Sequence, residues 1–82
     1  MKFNNKELEH LITYAEQVKV LIPLITYNEQ LIRDLFENMI NKSKVSVENL
    51  HRIENNFIAL DLIGLTSYDI KLRMKIDKFL DK

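Results

Sequence analysis

The side chains most capable of chemistry in this sequence are two histidines, because imidazole titrates near neutral pH and binds transition metals. His10 lies one helical turn from Glu7 and from Tyr14, and His51 lies one turn from two other glutamates. Such spacings are common by chance, and no HExxH motif accompanies them. The sequence therefore predicts histidines on polar surface faces and no metal site.

Other catalytic constellations lack the residues that they need. The chain has no cysteine, which excludes thiolate zinc sites, iron–sulfur clusters and cysteine nucleophiles. Phosphate-binding loops and nucleophile elbows need at least two glycines, and Gly64 is the only one. We predict a protein that is not an enzyme, with no catalytic residues, no cofactor and no small-molecule substrate.

The last predicted helix carries positive charges along one edge. Lys71, Lys75, Lys78 and Lys82 follow one another at spacings of four, three and four residues. Most such edges are solvated, and cations near a helix C-terminus interact favourably with the helix dipole. The functional interpretation is that this edge docks on an acidic surface.

The same helix has apolar residues on two sides. Its main stripe, at helical spacing, is Tyr68, Leu72, Ile76 and Phe79. Ile70 and Met74 lie opposite, where they are either ordinary exposed residues or an interface. In the interface interpretation, another protein or a second copy of the chain binds to a surface formed by Ile70, Met74, Lys71, Lys75 and Lys78.

The joint before this helix, residues 59–71, resembles a DNA-binding helix-turn-helix. Gly64 stands where that motif has its turn glycine, and Ile70 stands where its second helix keeps a core aliphatic residue. The resemblance falls within residues 57–75 and implies a small transcription regulator. The residues that it implies as phosphate or base contacts are Ser67, Lys71, Arg73 and Lys75.

Two features depart from that motif. Leu60 occupies a position that usually holds a small residue, and Arg73 occupies a usual core position. The formal net charge is zero, whereas phosphate binding usually requires a basic excess. A helical hairpin closed by a glycine cap accounts for the same residues. Protein binding is therefore the preferred prediction, and DNA binding is the alternative.

Apolar residues at spacings of three and four predict an all-α fold. The expected structure is one small bundle of about four helices, at residues 5–22, 27–41, 47–63 and 67–80. The clearest core stripe lies in the third helix, at Leu50, Ile53, Phe57 and Leu60.

Capping residues predict the helix boundaries. Thr26 with Glu29 forms a possible capping box for the second helix, and Ser46 is a possible cap for the third. Thr66 has an acid three residues later, as a cap for the fourth helix requires, and Gly64 suits the left-handed residue that ends the third.

The region around Pro23 allows two architectures. Proline removes a backbone donor and disfavours helical geometry at the preceding residue, which predicts a break between the first two helices. However, one heptad frame of mostly apolar residues continues from Leu11 to Met39. In the alternative architecture, the first two helices form a single long helix that is kinked at Pro23.

A chain of 82 residues forms one domain with a small core, and such domains often gain stability by association. We therefore expect a self-associating, cytoplasmic protein. The sequence contains no run of eighteen apolar residues, so we predict no membrane span. No signal sequence is evident. Small regulators, inhibitors and phage or plasmid accessory proteins are often built in this way.

Overall fold

A computed structural model of the chain describes residues 1–61 and 64–81. It contains four helices, α1 (Asn5–Leu21), α2 (Asn28–Asn41), α3 (Val47–Ala59) and α4 (Ser67–Phe79). Helix α1 packs against α2 and α3, and α4 packs against α3. The predicted all-α bundle of four helices is confirmed.

Helix α1 ends immediately before the proline. The amide of Ile22 donates to the carbonyl of Val18 at 2.8 Å, and Pro23 has no amide hydrogen with which to continue the series. The next helix begins at Asn28. The predicted break is confirmed, and the alternative of one long kinked helix is wrong.

The start of α2 differs from the prediction. Its cap is Tyr27, which already has helical backbone angles and makes no side-chain capping bond, so the predicted Thr26 capping box is wrong. The Tyr27 hydroxyl instead lies 3.0 Å from Oδ1 of Asn56 in α3. Glu29 lies 3.4 Å from the guanidinium of Arg33 rather than at the cap. Contact with α3 thus outweighs the local capping signal.

The two other predicted caps are confirmed. The Ser46 hydroxyl accepts from the amide of Asn49 at 3.2 Å at the start of α3. At the start of α4, the Thr66 hydroxyl accepts from the amide of Asp69 at 3.2 Å. The Asp69 carboxylate accepts from the amide of Thr66 at 2.9 Å, which completes a capping box.

Helix α3 is shorter than predicted. It ends at Ala59, and Leu60 and Asp61 form a tighter turn; Leu62 and Ile63, where the predicted end falls, lie outside the described residues. Gly64 has a φ of +94°, as predicted for a left-handed residue. Its amide donates to the carbonyl of Asp61 at 3.0 Å, so it closes that turn rather than α3 itself.

The predicted core stripe of α3 is confirmed, because all four of its members are buried. The edge of the Tyr14 ring approaches Phe57 with a centroid separation of 4.8 Å, which joins α1 to the centre of the stripe. The other helices and the loops contribute further buried apolar residues, among them Phe3, Leu8, Leu11, Ile12, Ala15, Val18, Leu31, Leu35, Val45, Leu72 and Ile76.

A pair of buried amides joins α2 to α3. Asn28 and Asn56 are both buried, and Nδ2 of Asn56 donates to Oδ1 of Asn28 at 2.7 Å. Asn56 is buried although it is not part of the core stripe of α3. The bond between the two amides, with the one from the Tyr27 hydroxyl to Asn56, offsets part of the cost of desolvation, while the buried Nδ2 atom of Asn28 has no hydrogen-bond partner among the described residues.

Two isoleucines in α3 provide a matched test of this packing. Ile53 is 3% exposed and Ile58 is 56% exposed. We expect Ile53→Val to lower the free energy of unfolding by about 0.5–1.5 kcal/mol, because it removes a buried methylene. The same change at Ile58 should stay within about 0.5 kcal/mol. Urea unfolding monitored by circular dichroism measures both values, and equal effects would contradict the described orientation of α3.

Candidate functional site

Packing and capping together set the rotation of α4. Leu72 and Ile76, at 2% and 0% exposure, lie in the core. At the helix start, Thr66 and Asp69 hold the first turn through their reciprocal bonds. Because residues three and four apart share one side of a helix, these contacts leave the opposite side of α4 directed towards solvent.

That solvent-facing side combines apolar and basic side chains. Ile70 is 46% exposed and Met74 is 65% exposed. Lys71 and Lys78, one helical turn or less from this pair, are also exposed. We call Ile70, Lys71, Met74 and Lys78 the α4 outer face. Within the helix, the two lysines outnumber the half-buried Asp77 at the margin of this face, and the exposed Asp81 follows the helix end.

Lys75, which is exposed like Lys71 and Lys78, also contacts α1. Its ammonium lies 3.1 Å from Oε2 of Glu7 in α1 and 5.5 Å from the ring centroid of Phe3. This ion pair with a cation–π contact ties α4 to the first residues of the chain. Lys75 therefore lies at the edge of α4 next to α1, and Lys82 lies outside the described residues.

The four residues suggested for DNA contact do not form one basic face. Ser67 and Lys71 are exposed on α4. Arg73 is half-buried and near enough to Tyr14 that its charge acts on the pKa of that hydroxyl. Lys75 is engaged with α1. Only one cation of the set, Lys71, thus belongs to the α4 outer face.

Tertiary packing brings a histidine and an aspartate together between α1 and α4. Nε2 of His10 forms a hydrogen bond with Oδ1 of Asp69. The His10 ring packs edge to face against the Tyr68 ring, with their centroids 4.7 Å apart. His10 is half-buried, so its predicted surface position is wrong. His51 is exposed as predicted, with Nδ1 at 4.0 Å from the Oε1 atom of Glu54.

The surroundings of Asp69 favour its ionised form. Burial alone would raise the pKa of this carboxyl, but hydrogen bonds from His10 and Thr66 outweigh that effect and hold the pKa below its usual value. Asp69 is buried, where it acts both as a helix cap and as a partner of α1.

A groove lies beside the His10–Asp69 pair. Its volume is about 750 Å³, and its walls include Thr13, Tyr14, Val20, Leu21 and Leu60. The Tyr14 hydroxyl is buried and has no hydrogen-bond partner among the described residues. Burial, together with the charges of Asp69 and Asp61, raises its pKa to about 12, so this hydroxyl is neutral at physiological pH.

A histidine oriented by a carboxylate is part of many proton-transfer sites. Within residues 1–61 and 64–81, no group of three His, Asp or Glu side chains could hold a metal ion. The Asp69 carboxylate is, moreover, shared with the Thr66 cap. This arrangement links two helices, and the α4 outer face is the stronger candidate for a functional site.

Comparisons with protein-family models, curated proteins and solved structures give no match to this chain. The function of the chain is therefore inferred from its own surface. In the part of the chain that the structure describes, no helix has the length and apolar character needed to cross a bilayer.

The link between Asp69 and helix capping predicts a pH-dependent stability. At neutral pH, Asp69→Asn should lower the free energy of unfolding by about 1 kcal/mol or more, because the charged cap and its bonds are weakened. A carboxyl whose pKa is depressed by folding stabilises the protein above its unfolded pKa of about 4, and this contribution is lost as the pH falls through the folded pKa. The difference between the variant and the wild type should therefore shrink below about pH 4.

Urea unfolding at a series of acidic pH values measures this difference. Glu37→Gln is the matched control, because Glu37 is exposed on α2 and its amide should change stability by less than about 0.5 kcal/mol. An Asp69→Asn effect that stays constant down to the lowest pH would refute the assigned role.

Proposed function

We propose that this chain is a non-enzymatic protein–protein interaction module, a small regulator or inhibitor that acts by occupying a surface of its partner. The observation that carries the proposal is the exposure of Ile70 and Met74 on a helix whose opposite side is anchored in the core. Because the backbone of this helix is already ordered, binding costs little backbone entropy, which favours an interface.

The charges beside this pair define the chemistry of the partner. Lys71 and Lys78 flank Ile70 and Met74 on the same exposed side. A complementary surface would present aliphatic side chains with Asp or Glu at its margin. Charge complementarity of this kind accelerates association and selects the orientation of binding.

We also propose that the chain associates with itself through the α4 outer face. A domain of 82 residues has a small core and gains stability when a partner covers its exposed apolar groups. We place this activity in the cytoplasm, since a chain without cysteine does not depend on an oxidising compartment for its fold.

Light scattering over a concentration series tests this role. We expect the wild-type mass to rise above that of the monomer and Met74→Lys to shift the rise to at least about tenfold higher concentration, because a buried, unpaired ammonium is costly. Val20→Lys is the matched control, since Val20 is 78% exposed but lies on α1. Circular dichroism should show unchanged helicity in both variants.

Two results would contradict the proposed surface. One is a wild-type mass that stays monomeric at every concentration. The other is an equal loss of association in Met74→Lys and Val20→Lys, which would indicate a non-specific effect of added charge.

DNA binding is the second candidate, because Gly64 has the positive φ and α4 has the capped start that a helix-turn-helix joint requires. We expect no mobility shift of duplex DNA at about 50 mM salt, since Lys75 is paired with Glu7, Arg73 is half-buried and the net charge is zero. A shift at that salt concentration that disappears at about 200 mM would instead favour the regulator.

A further inference from the structure

A second exposed apolar pair lies on α2. Leu31 and Leu35 are fully buried and turn one side of this helix to the core. On the other side, Phe36 is 47% exposed and Ile40 is 77% exposed. No neighbouring helix within the described residues covers them. Their spacing of four residues equals that of Ile70 and Met74.

The charges around the α2 pair have the opposite sign to those around the α4 pair. Glu29 and Glu37 are exposed on this side of α2, and Arg33 lies between them. Arg33 bonds to Glu29 at 3.4 Å, which leaves the charge of Glu37 in excess. We call Glu29, Arg33, Phe36, Glu37 and Ile40 the α2 outer face. It has two acids and one base, whereas the α4 outer face has two lysines with one acid at its margin.

We propose that the α4 outer face of one copy binds the α2 outer face of a second copy. This inference rests on the proposed function and names the surface on which α4 docks. Two helices that each carry an apolar pair one turn apart can pack side by side, with Ile70 and Met74 against Phe36 and Ile40. The flanking lysines and glutamates then attract each other at the rim of the contact.

Contacts between identical faces are less favourable. Pairing α4 with α4 places the cationic surfaces of two copies together, and pairing α2 with α2 places Glu37 near its own copy. A third exposed apolar group lies at the end of α1, at Val20, Leu21 and Leu24. It is flanked by one exposed charge of each sign, Glu16 and Lys19, and lacks the negative excess that complements α4.

A contact between unlike faces has a consequence for assembly. Each copy carries one α4 outer face and one α2 outer face, so each copy has one donor and one acceptor surface. Such a contact closes as a two-fold dimer if both reciprocal α4–α2 contacts form between two copies, and it otherwise continues head to tail. In either case the mass of the wild type should rise above that of the monomer as concentration rises.

Mixing two variants tests this arrangement. Met74→Lys blocks the α4 outer face, and Ile40→Lys blocks the α2 outer face. Each variant alone should be monomeric at concentrations where the wild type associates. The reason is that every α4–α2 contact between two copies of the same variant contains one blocked face. An equimolar mixture should form a 1:1 dimer and nothing larger, because only one intact α4 face and one intact α2 face remain per pair.

Sedimentation velocity of the wild type, each variant and the mixture, at one total concentration, distinguishes these species. Both substitutions replace exposed residues, and lysine is a good helix former, so circular dichroism should match the wild type. Val20→Lys is the control, because this chain retains both the α4 and the α2 outer face. When it is mixed with either variant, that variant should enter larger species.

Three outcomes overturn the inference. If Ile40→Lys associates like the wild type while Met74→Lys does not, the proposed function stands but α4 docks on another surface. If both variants and their mixture stay monomeric, the two faces do not form one contact. If the wild type is itself monomeric, self-association fails and the inference fails with it.

Discussion

Asp69 accepts hydrogen bonds from two directions, and the orientation of α4 depends on both. Its carboxylate caps the helix through the amide and hydroxyl of Thr66, and it also bonds to His10 on α1. The first contact sets where α4 begins, and the second sets which side of its first turn is directed towards α1. Leu72 and Ile76 continue that side into the core, so Ile70 and Met74 are left in solvent.

A second polar contact sets the orientation of α2. The bond between the buried amides of Asn28 and Asn56 brings the first turn of α2 against α3, and the Tyr27 hydroxyl reinforces it. Because a buried amide without a partner is costly, this pairing favours one rotation of α2 over others. The exposure of Phe36 and Ile40 follows from that rotation.

The two outer faces thus have a common origin. In each helix, one side is occupied by core residues and by a polar contact to another helix, and the opposite side retains apolar groups next to charge. A protein of this size has few helices with which to cover such groups. The proposed contact between copies would bury these groups, and the opposite charges of the α2 and α4 outer faces are the basis of that proposal.

The sequence by itself determined the class of fold, the starts of three helices, the break at Pro23 and the core stripe through Phe57. These features depend on local chemistry: the period of apolar residues, the missing amide of proline, and hydroxyl caps such as Ser46 and Thr66. The sequence also placed Ile70 and Met74 away from the main stripe of α4.

Only the tertiary structure decided which polar residues are buried. His10, Asn56 and Asp69 occupy helix positions whose phase suggests solvent, but each finds a hydrogen-bond partner on a different helix. Such a partner is distant in sequence, so periodicity and capping rules carry no information about it. For the same reason the contact of Lys75 with Glu7 could not be predicted from the sequence, because it forms only where α1 lies beside α4.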